Sequence, residues 1–464
     1  MALREYQAQA VQRGLDLLRS DSLQNGVIVI PTGGGKSHVG AAIADEADGE
    51  TLILQPNKEI LEQNFQKLTD IGRRDLAIYS ASLGSKGIDH ITLATIGSIY
   101  KKPELFQRFQ QVLVDECDLV NAKQGMYKSF FEAIGKPVLG FTASPWRLSP
   151  GKKIGKKRLP NGRSIDVFSG SVNRIITRTR PRVFHDLIHI TQIGDLYAQG
   201  YLCPLKYREG VFDERQLTLN STGNDYTDAS YRKISHNTVI DACSAAESVN
   251  ANHTLIFTKN VDEAEQINEK LNARGFSCAI VTAETKKDNR ERILNQFKSG
   301  VIRAVVNVGV LTVGFDFPAL DHVILARPIN SARLLYQIIG RGIRPHVSKA
   351  FCTISDLCGN INRLGRIENW IIGDNDGDKK YRLKCGSSFL TGVDMKTRID
   401  LEDKPNVQKN VRDLSIIHFG KFKGQHMSEV PIDYLEWIVG NFAAGDFKDQ
   451  AIDEVARRTK ESAA

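Results

Sequence analysis

The stretch that most constrains this chain is Ile30-Pro31-Thr32-Gly33-Gly34-Gly35-Lys36-Ser37. It follows the apolar run Gly26-Val27-Ile28-Val29-Ile30 and precedes a helix-compatible segment, His38 to Ala47. Strand, glycine-rich turn, Lys-Ser and helix, in that order, is the layout of a phosphate-binding loop. Gly33, Gly34 and Gly35, with Thr32 beside them, let backbone N–H groups crowd around a polyphosphate, and the helix N-terminus adds partial positive charge. Lys36 then reaches the β- and γ-phosphates of ATP, and the Ser37 hydroxyl holds Mg²⁺. The general pattern has its first glycine where Ile30 stands, so the loop alone also reads as a glycine-rich turn that happens to carry a lysine.

A second stretch removes that ambiguity. Val112-Leu113-Val114-Asp115-Glu116-Cys117-Asp118 is an apolar strand ending in acids. Downstream of a phosphate loop, Asp115 is placed to hold Mg²⁺ and Glu116 to orient and polarise an attacking water. Asp118 is a candidate bridge between the two sides of a nucleotide cleft. Around these motifs the chain alternates apolar strand and helix: Thr51-Leu52-Ile53-Leu54, Ile91-Thr92-Leu93-Ala94 and Val138-Leu139-Gly140-Phe141 are further strand runs. Ligand residues at strand C-termini in such an alternation predict an α/β fold with a doubly wound parallel sheet.

The alternation resumes from Thr254-Leu255-Ile256-Phe257 with Ala279-Ile280-Val281, Ala304-Val305-Val306 and His322-Val323-Ile324-Leu325, and this second unit carries no phosphate loop. A length of 464 residues is itself too great for one core. The expected organisation is therefore two doubly wound parallel-sheet domains in tandem plus a small C-terminal domain. Residues 1–182 form the first, including a basic loop at 151–182, and residues 183–235 a linker region. Residues 236–372 form the second, 373–410 a further linker, and 411–464 the small module.

Net charge is +8, and from Lys152 to Arg182 ten basic residues stand against one acid, Asp166. A block of one sign is a solvated loop or, beside a nucleic-acid path, a phosphate-tracking element. Seven scattered cysteines without a Cys-x-x-Cys pair argue against a zinc ribbon and for reduced thiols. No apolar run approaches the ~20 residues of a membrane span, and Met1-Ala2-Leu3-Arg4-Glu5-Tyr6 has no apolar signal core. The expectation is no membrane partner and a cytoplasmic protein.

Taken together, the motifs resemble those of superfamily 2 helicases, which implies that the two tandem domains are RecA-like. Pro31 to Ser37 is similar to the first motif of that family, and Leu3-Arg4-Glu5-Tyr6-Gln7 to its adenine-reading Q motif, which makes Gln7 the implied adenine contact and Arg4 a weaker one. Gln55-Pro56-Asn57 resembles motif Ia, and Thr95-Ile96-Gly97-Ser98 falls in the motif Ib/Ic region. The resemblance gives Asn57, Thr95 and Ser98 nucleic-acid contacts. Thr142-Ala143-Ser144-Pro145 resembles motif III, implying that Thr142 and Ser144 couple hydrolysis to movement, with Trp146 and Arg147 placed to stack on bases or wall the site; Trp146 reads equally as a packed core residue.

In the second half, Asn307 to Pro318 resembles motif V, with Gly314 and Asp316 towards the nucleotide ribose and Thr312 towards the strand. Gln337-Ile338-Ile339-Gly340-Arg341-Gly342-Ile343-Arg344 resembles motif VI, whose Arg341 and Arg344 are the implied arginine fingers. Gln337 stands where DEAD-box RNA helicases have His. The chain looks most like the bacterial RadD-type and phage DNA helicases, although the zinc-binding cysteines of the RadD pattern are absent.

The resemblance implies an ATP- and Mg²⁺-dependent DNA helicase or translocase acting on single-stranded or branched DNA in replication, recombination or repair, in a bacterial cell or phage-infected host. An RNA helicase, or a non-unwinding motor subunit of a restriction or defence complex, is the alternative. His418-Phe419-Gly420-Lys421-Phe422-Lys423-Gly424 and the following helix to Trp437 resemble a small phage and bacterial module, a candidate contact for a protein partner. Its lysine turn is a candidate DNA contact, and Tyr434 and Trp437 are expected to fill its core.

Overall fold

The apolar run after residue 25 forms a strand, Gly26–Val29 (β1), buried on both faces as a central strand of a parallel sheet must be. The computed structural model describes residues 3–459, apart from 21–23, 122–123, 151–152, 159–163, 169–170, 180, 211, 221–224, 234, 313–314, 375–380, 392–416, 418–419, 423–424, 442–450 and 453. Its chain divides into two compact units, Met1–Lys396 and Thr397–Ala464.

In the larger unit β1 is joined by β2 (Thr51–Gln55), β3 (Leu76–Ser80), β4 (Ser85–Lys86), β5 (Ile91–Thr95), β6 (Gln111–Asp115) and β7 (Val138–Thr142). Two antiparallel ribbons follow: β8 (Trp146–Pro150) pairs with β11 (Ser171–Ile175), and β9 (Lys153–Arg158) with β10 (Ser164–Phe168). The chain then returns to the sheet as β12 (Asp186–Ile190), parallel to β1. The strand order is β12-β1-β7-β6-β2-β5-β3-β4, and only β3 and β4 pair antiparallel. Alternation splits the apolar residues between two faces. Ile28, Ile30, Leu113, Leu139 and Phe141 pack with Val39 and Ile43, while Val27, Val29, Val112 and Val114 pack with Phe106 and Phe130.

Three helices of this half bear on the site: α1 (Glu5–Arg19), α2 (Lys36–Glu46) and α3 (Lys58–Asp70), the last capped by Asn57, whose Oδ1 accepts from Ile60 N at 2.9 Å. The second sheet holds β13 (Leu205–Glu209), β14 (Thr254–Thr258), β15 (Cys278–Val281), β16 (Ala304–Asn307), β17 (His322–Ala326) and β18 (Cys352–Asp356) in the order β13-β18-β17-β14-β16-β15, all parallel. Its helix α4 (Ala332–Ile339) begins at Ser331, whose hydroxyl accepts from Leu334 N. A three-stranded sheet follows: β19 (Trp370–Asp374), β20 (Tyr381–Cys385) and β21 (Ser388–Phe389).

The two tandem parallel sheets match the expected fold class. Three stretches differ from expectation. The basic stretch 151–182, expected as a loop, carries the two ribbons in its described residues; Ser171, Val172, Asn173 and Ile175 of β11 are buried and Arg174 between them is half-buried, so polar and charged letters conceal a largely buried strand. The stretch 183–235, expected as linker, supplies β12 to the first sheet and β13 to the second. The start of the expected linker 373–410 carries β20 and β21.

In the smaller unit Ile417, Met427, Val430, Leu435, Ile438 and Ala451 form a core around α5 (Ile432–Asn441). Tyr434 packs only partly against it, and Trp437, stacked on Tyr434 at 5.5 Å, is 48% exposed. Helix spacing explains this correction: Leu435 and Ile438, three apart, face inward, and Trp437 falls off that stripe. Lys421 lies over the Phe422 ring, so the described part of the lysine turn packs on its own aromatic. Its residues 418–419 and 423–424 lie outside the described residues. All seven cysteines are free, and among the described residues no helix is long and apolar enough to cross a membrane.

Candidate nucleotide-binding cleft

The loop between β1 and α2 takes its shape from its glycines. Gly33 and Gly35 both have φ of 82°, which disfavours any side chain, and a Cβ on Gly35 would collide with Gln7 Nε2. Tyr6 and Gln7 of α1 hold the loop from below, both donating to Gly34 O, at 2.7 and 3.0 Å. Gln7 Oε1 accepts from Arg4 N at 3.0 Å, so both ends of this amide are engaged by backbone. Arg4 stacks on Tyr201, with 3.9 Å between guanidinium carbon and ring centre. Neither Gln7 nor Arg4 lines the cleft.

The cleft is a cavity of about 310 Å³ between the two sheets. One wall is the loop with Thr32, Lys36, Ser37 and His38, then Asp115, Glu116 and Ser144; the other is Asp316, Gln337, Arg341 and Arg344. Parallel strands deliver ligand residues at their C-terminal ends, which is why β6 and β7 place Asp115 and Ser144 beside the loop after β1. Glu116 sits at φ 49°, a left-handed conformation uncommon for a residue with a side chain.

Lys36 Nζ binds Glu116 Oε1 and lies 3.5 Å from Asp115 Oδ1. Burial alone pulls the lysine pKa down, but the two carboxylates outweigh it and hold the ammonium above its ordinary range. Burial likewise opposes ionisation of Glu116, and Lys36 overcomes it, holding that carboxyl below the usual range. Asp115 goes the other way, because its burial exceeds what Lys36 returns.

Across the cleft, Arg341 donates to Phe315 O at 2.7 Å, Thr312 O at 2.6 Å and Gln337 O at 3.2 Å. The side chain thus ties motif VI to the motif V backbone, and its burial lowers its pKa to about 10. Arg344 pairs with Asp316, so the acid expected at the ribose is taken by an arginine. Gly314 lies outside the described residues.

The residues expected to couple hydrolysis to movement form one chain of contacts. Thr142 Oγ1 donates to Asp118 Oδ1 at 2.8 Å and accepts from Ser144 N at 3.0 Å. Asp118, with a fully buried side chain, takes Arg333 Nε of α4 on its other oxygen at 2.5 Å. Arg333 was not among the expected residues. Its signal is its spacing, one turn before Gln337 on the same helix face. Tyr336 of the same helix accepts from Thr32 N at 3.4 Å, which sets α4 directly on the phosphate loop. Helix α3 also contributes unexpectedly: Ile60, Gln63, Asn64 and Lys67 line the cleft at helical spacing, and Asn64 donates to Asp115 Oδ2 at 3.5 Å.

The expected nucleic-acid residues lie outside this cavity. The Asn57 oxygen is spent on its cap. Thr95 and Ser98 bond each other at 2.8 Å, and Ser98 Oγ accepts from Ala81 N at 2.9 Å. Arg147 donates to Val120 O, and Thr312 offers its carbonyl to Arg341. Of the two readings left open for Trp146, a packed side chain is the one found: it is buried against Tyr336 and Trp370 at 5.8 and 6.0 Å.

Two parallel sheets, one bearing a phosphate loop and one without, facing each other over a cleft of paired acids and arginines, define a tandem RecA-like protein. Residues 1–147 match the type III restriction enzyme res subunit family, and residues 236–346 the helicase conserved C-terminal domain. The chain belongs to the superfamily 2 helicases. It is 22% identical over 77% of its length to a candidate ATP-dependent helicase, IRC3, of Saccharomyces cerevisiae, and it covers 51% of that protein. It is 25% identical to the DNA 3'-5' translocase XPB2 of Sulfurisphaera tokodaii, over 74% of this chain and 78% of the relative. A fragment of a candidate HsdR subunit of a type I restriction enzyme from Vibrio vulnificus shares the fold, with a TM-score of 0.54 and 20% identity over 81% of this chain and 66% of that one. The chain thus spans about half the length of IRC3.

Proposed function

We propose that the chain is an ATP-dependent motor that moves on DNA and unwinds or remodels it. The observation that carries this reading is the cleft itself, where Lys36, Asp115 and Glu116 of one sheet face Gln337, Arg341 and Arg344 of the other. Cations on one wall and a carboxylate base on the other suit hydrolysis of a nucleoside triphosphate. The loop amides and Lys36 bind the phosphates. The Glu116 carboxylate accepts a proton from water as its oxygen bonds to the γ-phosphorus and the bond to the β-phosphate oxygen breaks, giving ADP and phosphate.

Ser37 and Asp115, hard oxygen donors on one wall, fit Mg²⁺. When bound, it offsets phosphate charge. Arg341 and Arg344 offset the same charge from the second sheet, Arg344 by exchanging Asp316 for phosphate. Because the arginines and Arg333 belong to one sheet and the acids to the other, nucleotide biases closure of the two, a domain motion that can step along a strand.

DNA as the track is supported by the likeness to a DNA translocase. The test is the ATPase rate without nucleic acid and with single-stranded DNA, duplex, a branched junction or RNA. Stimulation by DNA above all, strongest on branched DNA, is the expected result; stimulation by RNA alone overturns the DNA reading. A second reading is favoured by the match to the type III restriction res subunit. In it the motor translocates on duplex within a restriction assembly and never separates strands. ATP hydrolysis on duplex without strand separation would establish it.

A further inference from the structure

Apart from the nucleotide cleft, a second concave site lies where β11 packs against β20. It is a cavity of about 80 Å³ lined by Arg174, Ile175, Arg178, Tyr381, Arg382 and Thr391, none of which lines the cleft. Three half-buried guanidiniums therefore share one small wall. Among the described residues none of the three pairs with a carboxylate. The acids nearby, Asp186 and Asp374, act on Tyr381 instead.

The remaining donors are arranged as for an oxyanion. Arg382 stacks over Phe389 at 4.9 Å, which fixes its plane, and its Nε is buried without an acceptor. Thr391 is 1% exposed, and its Oγ1 accepts from Leu383 N at 2.8 Å, which leaves the hydroxyl proton to donate. Like charges crowded into a concave site repel unless an anion is shared among them, and planar forked donors suit a tetrahedral oxyanion with several acceptor oxygens. The cavity is about a quarter of the cleft's volume, which suits one phosphate group and excludes a nucleotide.

What sits around the cavity indicates the source of that phosphate. Arg174 stands opposite Arg147 across the β8–β11 ribbon, so both side chains project from one face. The same chain continues into the β9–β10 hairpin, where Lys156 and Arg158 are exposed. A lone phosphate ion needs no such ribbon; a polymer that repeats the phosphate does. We propose that this cavity seats a backbone phosphodiester of DNA, a second grip outside the nucleotide cleft. This rests on the reading of the chain as a DNA motor.

The test uses the full chain with Arg178→Gln, Arg382→Gln, or both. Binding to a duplex with a single-stranded arm is measured by fluorescence anisotropy across a range of salt. The expected result is weaker binding with a flatter slope of log affinity against log salt, by about one for a single phosphate no longer neutralised. The ATPase rate without DNA and the melting temperature stay those of the unsubstituted chain. Unchanged slope and affinity in folded variants overturn the proposal. So does titratable binding of inorganic phosphate that both substitutions abolish while DNA binding is untouched, which would make this a small-anion site. If the unsubstituted chain hydrolyses ATP yet binds no DNA, the motor reading fails first; DNA-stimulated hydrolysis with an unchanged slope sinks only this inference. Should Arg382→Gln fail to fold, Arg178→Gln and Arg174→Gln, which leave the stacked arginine in place, give the same readout.

Discussion

Asp118 is the acid on which the two sheets meet. Burial, then the neighbouring Glu116 charge, pushes its pKa up to about 6, while Arg333 and Thr142 pull the other way. The bond from Arg333 needs the carboxylate. As pH falls through about 6 the aspartate takes a proton, the charge-assisted bond weakens, and ATP hydrolysis should fall along an acid limb centred there. His38, also on the cleft wall, has its pKa lowered by burial, Lys67 and Arg4. It is a second titratable group beside the phosphate loop, so the pH profile of each variant is the deciding measurement. Asp118→Asn should flatten the limb and lower the rate at neutral pH by ~10-fold to 100-fold, the worth of a charge-assisted hydrogen bond; His38→Gln should keep the limb. A limb that survives Asp118→Asn assigns it elsewhere. Glu116→Gln should keep ATP binding and lose turnover by ~10² to 10⁴, as expected for a general base, in equilibrium binding and steady-state assays side by side. At this scale the sequence was readable wherever chemistry demands one residue type at one spacing, as with Lys36-Ser37 and Asp115-Glu116. It gave Arg333 no more than its spacing from Gln337 and was silent on Lys67, because an arginine or lysine on a helix face has the same letter whether it meets solvent or a cleft.

Helix α4 presents Arg333, Tyr336 and Gln337 to the first sheet, while Trp146 of β8 and Trp370 of β19 close around Tyr336. The element joins motif VI to the phosphate loop, and its packing and its ion pair should be separable. Trp146→Ala removes a fully buried indole and should cost about 3–5 kcal/mol, the usual range for such a truncation, read as a lower denaturant midpoint. Arg333→Ala strands a buried carboxylate and should slow hydrolysis more than it lowers ATP affinity. In the double-mutant cycle with Asp118→Ala, the two single effects should fail to add by about 1–3 kcal/mol; additive losses would mean that the ion pair carries no coupling. Elements with a clear apolar period were legible in the chain, as β1, β6 and α2 show. The ribbons β8–β11 and β9–β10 were not, because β9 clusters Lys156, Lys157 and Arg158 in a row and β11 mixes Ser171, Asn173 and Arg174 with its apolar residues, so neither shows a strand period. Strand β12 was missed for a different reason: its apolar residues were visible, but its partner β1 lies 158 residues earlier by the Asn25–Val183 bond, and no local signal carries that distance.

At the scale of the molecule, the chain holds two bodies of unequal size. Residues 397–464 have their own small core of Ile417, Met427, Val430, Leu435, Ile438 and Ala451, while all the cleft residues lie within residues 1–396. A unit so short buries a smaller fraction of its apolar surface than a larger domain and is correspondingly less stable. Calorimetry of the whole chain should therefore show a minor transition at lower temperature than the main one. A chain ended after Lys396 should lack that transition, keep the main one, and hydrolyse ATP without nucleic acid at the rate of the whole chain. A non-hydrolysable ATP analogue at about 100 times its Kd should raise only the main transition, through roughly 2.7 kcal/mol of linkage, and Lys36→Ala should abolish that rise. A single transition that the analogue shifts as a whole would mean that the two bodies unfold together, and the shorter chain would then be expected to lose hydrolysis as well.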